Sequence, residues 1–120
     1  MAGLLIAFFA LTLALPAAAE TYKPVRNKQQ FMSLVEGKEL RLALWQIRLE
    51  LRPDGAIKGS ALGWALNGRW EWQDGYFCRR MDWSGTEIPF NCQLVEVKGA
   101  HSVRFTVDRG TGDSAAFKLR

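Results

Sequence analysis

Leu66-Asn67-Gly68-Arg69-Trp70-Glu71-Trp72 alternates apolar or small residues (Leu66, Gly68, Trp70, Trp72) with polar ones (Asn67, Arg69, Glu71). A period of two sends successive side chains to opposite faces of an extended chain, so this stretch is a strand with one dry and one wet face. Gln73-Asp74-Gly75 follows as a turn and Tyr76 to Met81 as the next strand. A loop holding Trp83, Ser84 and Gly85 leads through Pro89 into a strand from Phe90 to Val97. Lys98-Gly99-Ala100 then turns the chain into Ser102 to Asp108, where Val103, Phe105 and Val107 share a face. After the glycine-rich stretch Asp108 to Ser114, Ala115 to Arg120 supplies a last strand through Phe117 and Leu119.

The same pattern extends upstream. Arg52-Pro53-Asp54-Gly55 is a tight turn before a strand from Ala56 to Leu62. Leu40, Leu42 and Leu44 alternate in one phase and Ile47, Leu49 and Leu51 in the other, so a bulge or short break near Trp45-Gln46 would bring all six to the core. Before them, Phe31, Leu34 and Val35 have helical spacing behind a capping Asn27, and Gly37 marks the stop. Glu20 to Arg26, with Pro24, reads as an extended lead-in. Six or seven strands on short turns, with no βαβ spacing, require an antiparallel sheet. The expected fold is mainly β: a small antiparallel barrel or meander with the helix plugging an end or packing outside, a two-sheet sandwich being the alternative.

Residues 1–19 contain no charged side chain and run apolar from Ala2 to Leu15. About 14 apolar residues are too few for a membrane-crossing helix, and Pro16 followed by Ala17-Ala18-Ala19 resembles a signal-peptidase site. A cleaved signal peptide with Glu20 as the new N-terminus is expected, although the usual basic n-region is missing. A retained N-terminal anchor is the alternative. Residues 20–120 then form one small β-rich domain, periplasmic or secreted, with no transmembrane span and a monomeric state expected.

Export gives meaning to Cys78 and Cys92, the whole cysteine complement. In an oxidising compartment they are expected to form one disulfide, closing a loop of about 15 residues worth roughly 3 kcal/mol in the chain-entropy model. The absence of CxxC argues against a redox pair.

The formal charge of +4 arises from 16 basic and 12 acidic residues that are interspersed, with no basic run longer than Arg79-Arg80. This pattern describes a solvated mixed surface, not a nucleic-acid footprint. Catalytic signals are weak. Gly110-Thr111-Gly112-Asp113-Ser114-Ala115 fits GxGxxA in letters, but five residues after it leave no room for the helix that must receive a pyrophosphate. His101 stands alone beside a turn, and Ser84 lacks a GxSxG frame. No catalytic residue, metal ligand or cofactor is therefore assigned. The most chemically loaded group is Arg79, Arg80, Asp82 and Trp83, inside the expected disulfide loop, which suits an anion, a sugar ring or a partner protein.

Gly68-Arg69-Trp70-Glu71-Trp72-Gln73-Asp74-Gly75-Tyr76-Phe77-Cys78, together with Asn91-Cys92 and Asp108 to Ala115, resembles a group of small exported bacterial proteins, many labelled dihydrodipicolinate reductase. The likeness covers most of the chain after Ala19. Reductases of that name are larger two-domain cytoplasmic enzymes with a nucleotide-binding fold and a His-containing catalytic segment. Neither feature can be placed on these residues, so the resemblance carries over no catalytic position. The expected function is an exported binding or interaction module whose partner is a periplasmic protein or a small ligand, an inhibitor of an envelope enzyme being one form of it. A structural envelope accessory and an enzyme are the other classes.

Overall fold

The structure, a computed structural model, describes residues 21–120 together with Gly3, Ala7 and Ala10. The expected signal peptide of residues 1–19, and Glu20 after it, otherwise lie outside the described residues. Strand β1 (Lys23–Pro24) precedes helix α1 (Lys28–Val35), and eight strands follow. These are β2 (Leu40–Leu42), β3 (Ile47–Leu51), β4 (Ala56–Ala61), β5 (Trp64–Gln73), β6 (Tyr76–Trp83), β7 (Thr86–Lys98), β8 (Ser102–Thr106) and β9 (Ser114–Leu119).

All pairings are antiparallel, and β2 to β9 form a closed eight-stranded ring. Each strand from β2 to β8 pairs with the next, and β9 returns to β2 through Leu40 opposite Leu119. Closure depends on the length of β7. Its first half lies against β6 and its second half, Leu94 to Lys98, against β8. A closed ring replaces the two-sheet alternative, because no edge is left at which a second sheet could begin.

The strand count exceeds the six or seven expected, for two local reasons. Leu40 to Leu51 takes the broken form of the two expected, a hairpin of two strands joined by a short 3-10 turn, Leu44–Gln46, and not one bulged strand. The lead-in also contributes β1, whose Lys23 and Pro24 lie opposite Val97 and Glu96 on β7. A further correction concerns Trp83-Ser84-Gly85. Trp83 ends β6 and Ser84-Gly85 is a two-residue turn directly into β7, so the expected loop is a tight hairpin. Of the six residues assigned to the core between Leu40 and Leu51, Leu40, Leu49 and Leu51 are buried, Leu42 and Ile47 half-buried, and Leu44 exposed on the turn.

The alternation along β5 holds: Leu66 and Trp70 are buried, Trp72 is half-buried, and Asn67, Arg69 and Glu71 are exposed. Gly68 shares the inner face because strands approach closely there. A Cβ would stand 2.2 Å from the Arg80 carbonyl oxygen, and at the neighbouring inner position Gly59 one would stand 1.9 Å from that of Arg48. Two side-chain-free positions on adjacent strands let the sheet coil tightly enough to close.

Helix α1 forms behind Asn27, whose Oδ1 accepts from the Gln30 N–H at 2.8 Å, while Gln30 Oε1 accepts from the Arg26 N–H. The chain leaves β7's partner β1 and must reach β2 across the barrel, so α1 lies over the end that also carries the 52–55 and 74–75 turns. Phe31 and Val35 point inward with no exposed area. The Phe31 ring meets Trp70 at 5.6 Å, Phe77 at 5.4 Å and Phe105 at 6.2 Å between centroids, joining three strands and the helix in one aromatic cluster. The helix is thus the plug of that end.

Cys78 and Cys92 are direct cross-strand neighbours on β6 and β7, 3.9 Å apart at Cα and bonded to each other. Replacing both with Ala is expected to lower the unfolding free energy by about 2 to 4 kcal/mol in urea denaturation. An unchanged denaturation midpoint would show that the bond adds nothing to the ring.

Candidate functional site

Period-two alternation divides the candidate group of four. Arg79 and Trp83 follow Phe77 and Met81 toward the barrel interior, whereas Arg80 and Asp82 lie on the outer wall and are exposed. The structure therefore breaks up the expected contiguous cluster. Outside, Asp82 Oδ2 accepts from the Gly85 N–H at 2.9 Å, fixing the hairpin turn. Trp83 serves as a wall element: its Nε1 donates to the Ala61 carbonyl at 3.0 Å across two strands.

Arg79 lies on a cavity of about 250 Å³ within the barrel. The walls are apolar, built from Leu49, Leu51, Ile57, Met81, Phe105 and Phe117 among others, and polar groups enter only from Arg79, Gln93, Asp113 and Ser114. Volume remains because helix α1 fills only its own end of the barrel, against Trp70, Phe77 and Phe105. At the opposite end a wholly apolar groove under Trp45 shares Leu49, Met81 and Phe117 with this cavity.

The guanidinium is held by one hydrogen bond, Nη1 donating to the Pro89 carbonyl at 2.7 Å. The register between β6 and β7 shifts between Arg79 and Met81, and such an irregularity re-aims the side chains beside it. Among the described residues no carboxylate lies within 4.0 Å of Arg79 to pair with it. Partial burial draws its pKa below the ordinary arginine value, because desolvation disfavours the charged form. Arginine nevertheless stays protonated under all working conditions, so the cavity wall carries a fixed positive charge.

Gln93, opposite Phe77 on β7, is 6% exposed and lines the same cavity. Its side-chain amide makes no hydrogen bond to any described residue and keeps donors and an acceptor available toward the space. Sequence reading passed over Gln93. The signal was its phase, two residues before the inward Val95 of β7.

The rim is set by the connection from β8 to β9. The GxGxxA letters lie in this loop between antiparallel strands, and no helix follows them. Asn91 holds the loop reciprocally: its Nδ2 donates to Asp108 Oδ1 at 2.8 Å and its Oδ1 accepts from the Asp108 N–H at 3.0 Å. This fixes Asp108 and Arg109 at positive φ of 54° and 53° and turns Val107, Asp113 and Ser114 to the cavity. His101 lies in the turn between β7 and β8. Among the described residues no three His, Cys, Asp or Glu side chains converge to hold a metal ion, and no helix is long and apolar enough to cross a membrane. In comparisons with known proteins, no family model, no curated protein and no solved structure matches this chain.

Proposed function

We propose that the protein is an exported ligand-binding module whose barrel takes a small amphiphile with an anionic head. One observation carries this reading: the Arg79 guanidinium, with no carboxylate within 4.0 Å among the described residues, stands on the wall of a mainly apolar cavity whose other polar groups are Gln93, Asp113 and Ser114. A half-buried cation without a counter-ion carries an unbalanced desolvation cost, and a carboxylate in charge-assisted contact with it would offset that cost while its apolar body fills the space. The Gln93 amide adds a second hydrogen-bonding group on the same wall.

Size narrows the ligand. A cavity of about 150 Å³ accommodates benzene, so 250 Å³ holds a body of about ten non-hydrogen atoms, the size of octanoate. Export by the residue 1–19 segment would place the module in the periplasm or outside the cell, where the disulfide between Cys78 and Cys92 can persist. Inhibition of an envelope enzyme is the second reading, favoured by the exposed side chains of Arg80 and Phe90 on the outer wall.

Titration calorimetry with octanoate and octanol separates these readings. Octanoate is expected to bind more tightly than octanol. Arg79→Leu should weaken octanoate by about 1.5 to 3 kcal/mol, a tenfold to hundredfold loss, while leaving octanol nearly unchanged. Equal binding of acid and alcohol, or no binding at about 1 mM octanoate, would remove the anion-binding assignment.

A further inference from the structure

Four of the five large hydrophobic side chains exposed on the described surface lie on two adjacent hairpins. Leu44 (67% exposed) and Trp45 (57%) belong to the β2–β3 turn, Leu62 (43%) to the β4–β5 turn, and Trp64 (63%) begins β5 just after it. The two turns are tied together by the Leu62 N–H donating to the Trp45 carbonyl at 2.8 Å. Trp45, Gln46 and Leu62 adopt positive φ of 63°, 47° and 51°. That conformation is unfavourable for residues with a Cβ, and here it projects bulky apolar groups into water instead of tucking them away. Positive φ at Leu62-Gly63 is what a two-residue hairpin turn requires, as at Asp74-Gly75 and Ser84-Gly85, but the exposure of four large apolar side chains in one place gives the isolated fold nothing.

The second observation is electrostatic. On the outer wall just below these turns, Lys118 of β9 lies opposite Arg41 of β2, and Arg41 lies opposite Arg48 of β3. Three cations side by side across three strands repel one another. A single carboxylate answers them: Glu39 Oε1 is 2.7 Å from Arg41 Nε and 3.8 Å from Arg48 Nε, and Lys118 has no ion pair among the described residues. Arg120 lies in the same shallow groove.

We infer that this end of the barrel docks on an anionic lipid surface. Trp45, Trp64, Leu44 and Leu62 enter the boundary between headgroups and acyl chains, and the Lys118–Arg41–Arg48 row meets the lipid phosphates. Indole rings and aliphatic tips beside a basic band suit such an interface, where one end is apolar and the next layer is negatively charged. The partner is set by this charge complementarity: an uncharged protein surface would leave the cation row unanswered. Docking would also bring to the membrane the apolar groove under Trp45, which shares Leu49, Met81 and Phe117 with the barrel cavity.

The test uses the exported chain as recovered from the cell, mixed with vesicles of phosphatidylcholine alone or with phosphatidylglycerol, and read by co-sedimentation at low and high salt. Strong binding is expected only with phosphatidylglycerol, and it should weaken with salt. Arg41→Gln/Arg48→Gln/Lys118→Gln should weaken it roughly tenfold or more, and Trp45→Ser and Trp64→Ser, made singly, should each weaken it at unchanged melting temperature. A retained leader would contribute equally to every variant, so the differences report on this surface alone. Unchanged vesicle binding in the triple-cation and both tryptophan variants would overturn the inference. So would lipid-independent self-association, in analytical ultracentrifugation, that Trp45→Ser abolishes, because a second copy would then own the surface. Loss of octanoate binding in Arg79→Leu with vesicle binding intact would keep the two assignments separate.

Discussion

Trp70→Ala is expected to lower the unfolding free energy by about 3 to 5 kcal/mol, the range for truncating a large aromatic residue in a packed core. Trp70 is 4% exposed, stacks on Phe77 at 5.7 Å and meets Phe31 edge-on. Its Nε1 also donates to the Arg52 carbonyl at 2.9 Å, which ties the β3–β4 turn to the barrel wall. Truncation therefore leaves a cavity under helix α1 and removes one of the two hydrogen bonds to the Arg52 carbonyl, which keeps only that from the Gly55 N–H. Arg69→Ala, one residue away on the exposed face, should cost about 1 kcal/mol or less, since what it removes is a surface hydrogen bond to the Asp54 carbonyl. Urea denaturation of the two variants is the check, and similar small effects from both would contradict the assigned facing.

Gly59→Val should be more damaging, with a loss above about 4 kcal/mol or failure to accumulate folded protein. The first atom of any side chain at this position would fall 1.9 Å from the Arg48 carbonyl oxygen, a backbone atom held in the β3–β4 ladder. Relief requires separating two paired strands, and in a closed ring that strain has no free edge at which to dissipate. Ser60→Val, at the next position and on the other face, is the matched control. Circular dichroism and thermal melting distinguish the outcomes: a well-folded Gly59→Val protein near the wild-type melting temperature would mean that the barrel does not need this close approach.

The local alternation of the strands was legible because one wall of each faces the core and the other faces solvent. Leu66, Trp70, Val103, Phe105, Phe117 and Leu119 all point inward as their spacing indicates. The pairing of Cys78 with Cys92 was legible too, since two flanking strands placed them opposite each other. Closure was not. The returns of β9 to β2 and of β7 to β8 are contacts between separated segments, and nothing in either local sequence specifies a partner.

The site was obscured by adjacency. Arg79, Arg80, Asp82 and Trp83 read as one cluster when taken as neighbours along the chain, but a strand sends neighbours to opposite faces. The strand expected from Tyr76 to Met81 already held the phase that places Arg79 inside with Phe77 and Met81; only Asp82 and Trp83 fell outside it, because Trp83-Ser84-Gly85 resembled a loop. The exposed turns at Trp45 and Leu62 were equally hidden. Apolar residues in an alternating run are expected to be core, and only the positive backbone angles at these turns reveal otherwise.

The most direct test of an anion-binding barrel interior is nuclear magnetic resonance of isotope-labelled protein during titration with octanoate. The account predicts a shifted Arg79 side-chain Nε–H signal, together with nuclear Overhauser contacts from the ligand chain to the Ile57 methyl groups and the Phe117 ring. Contacts confined to Phe90 and the outer wall, with the Arg79 signal unmoved, would contradict it.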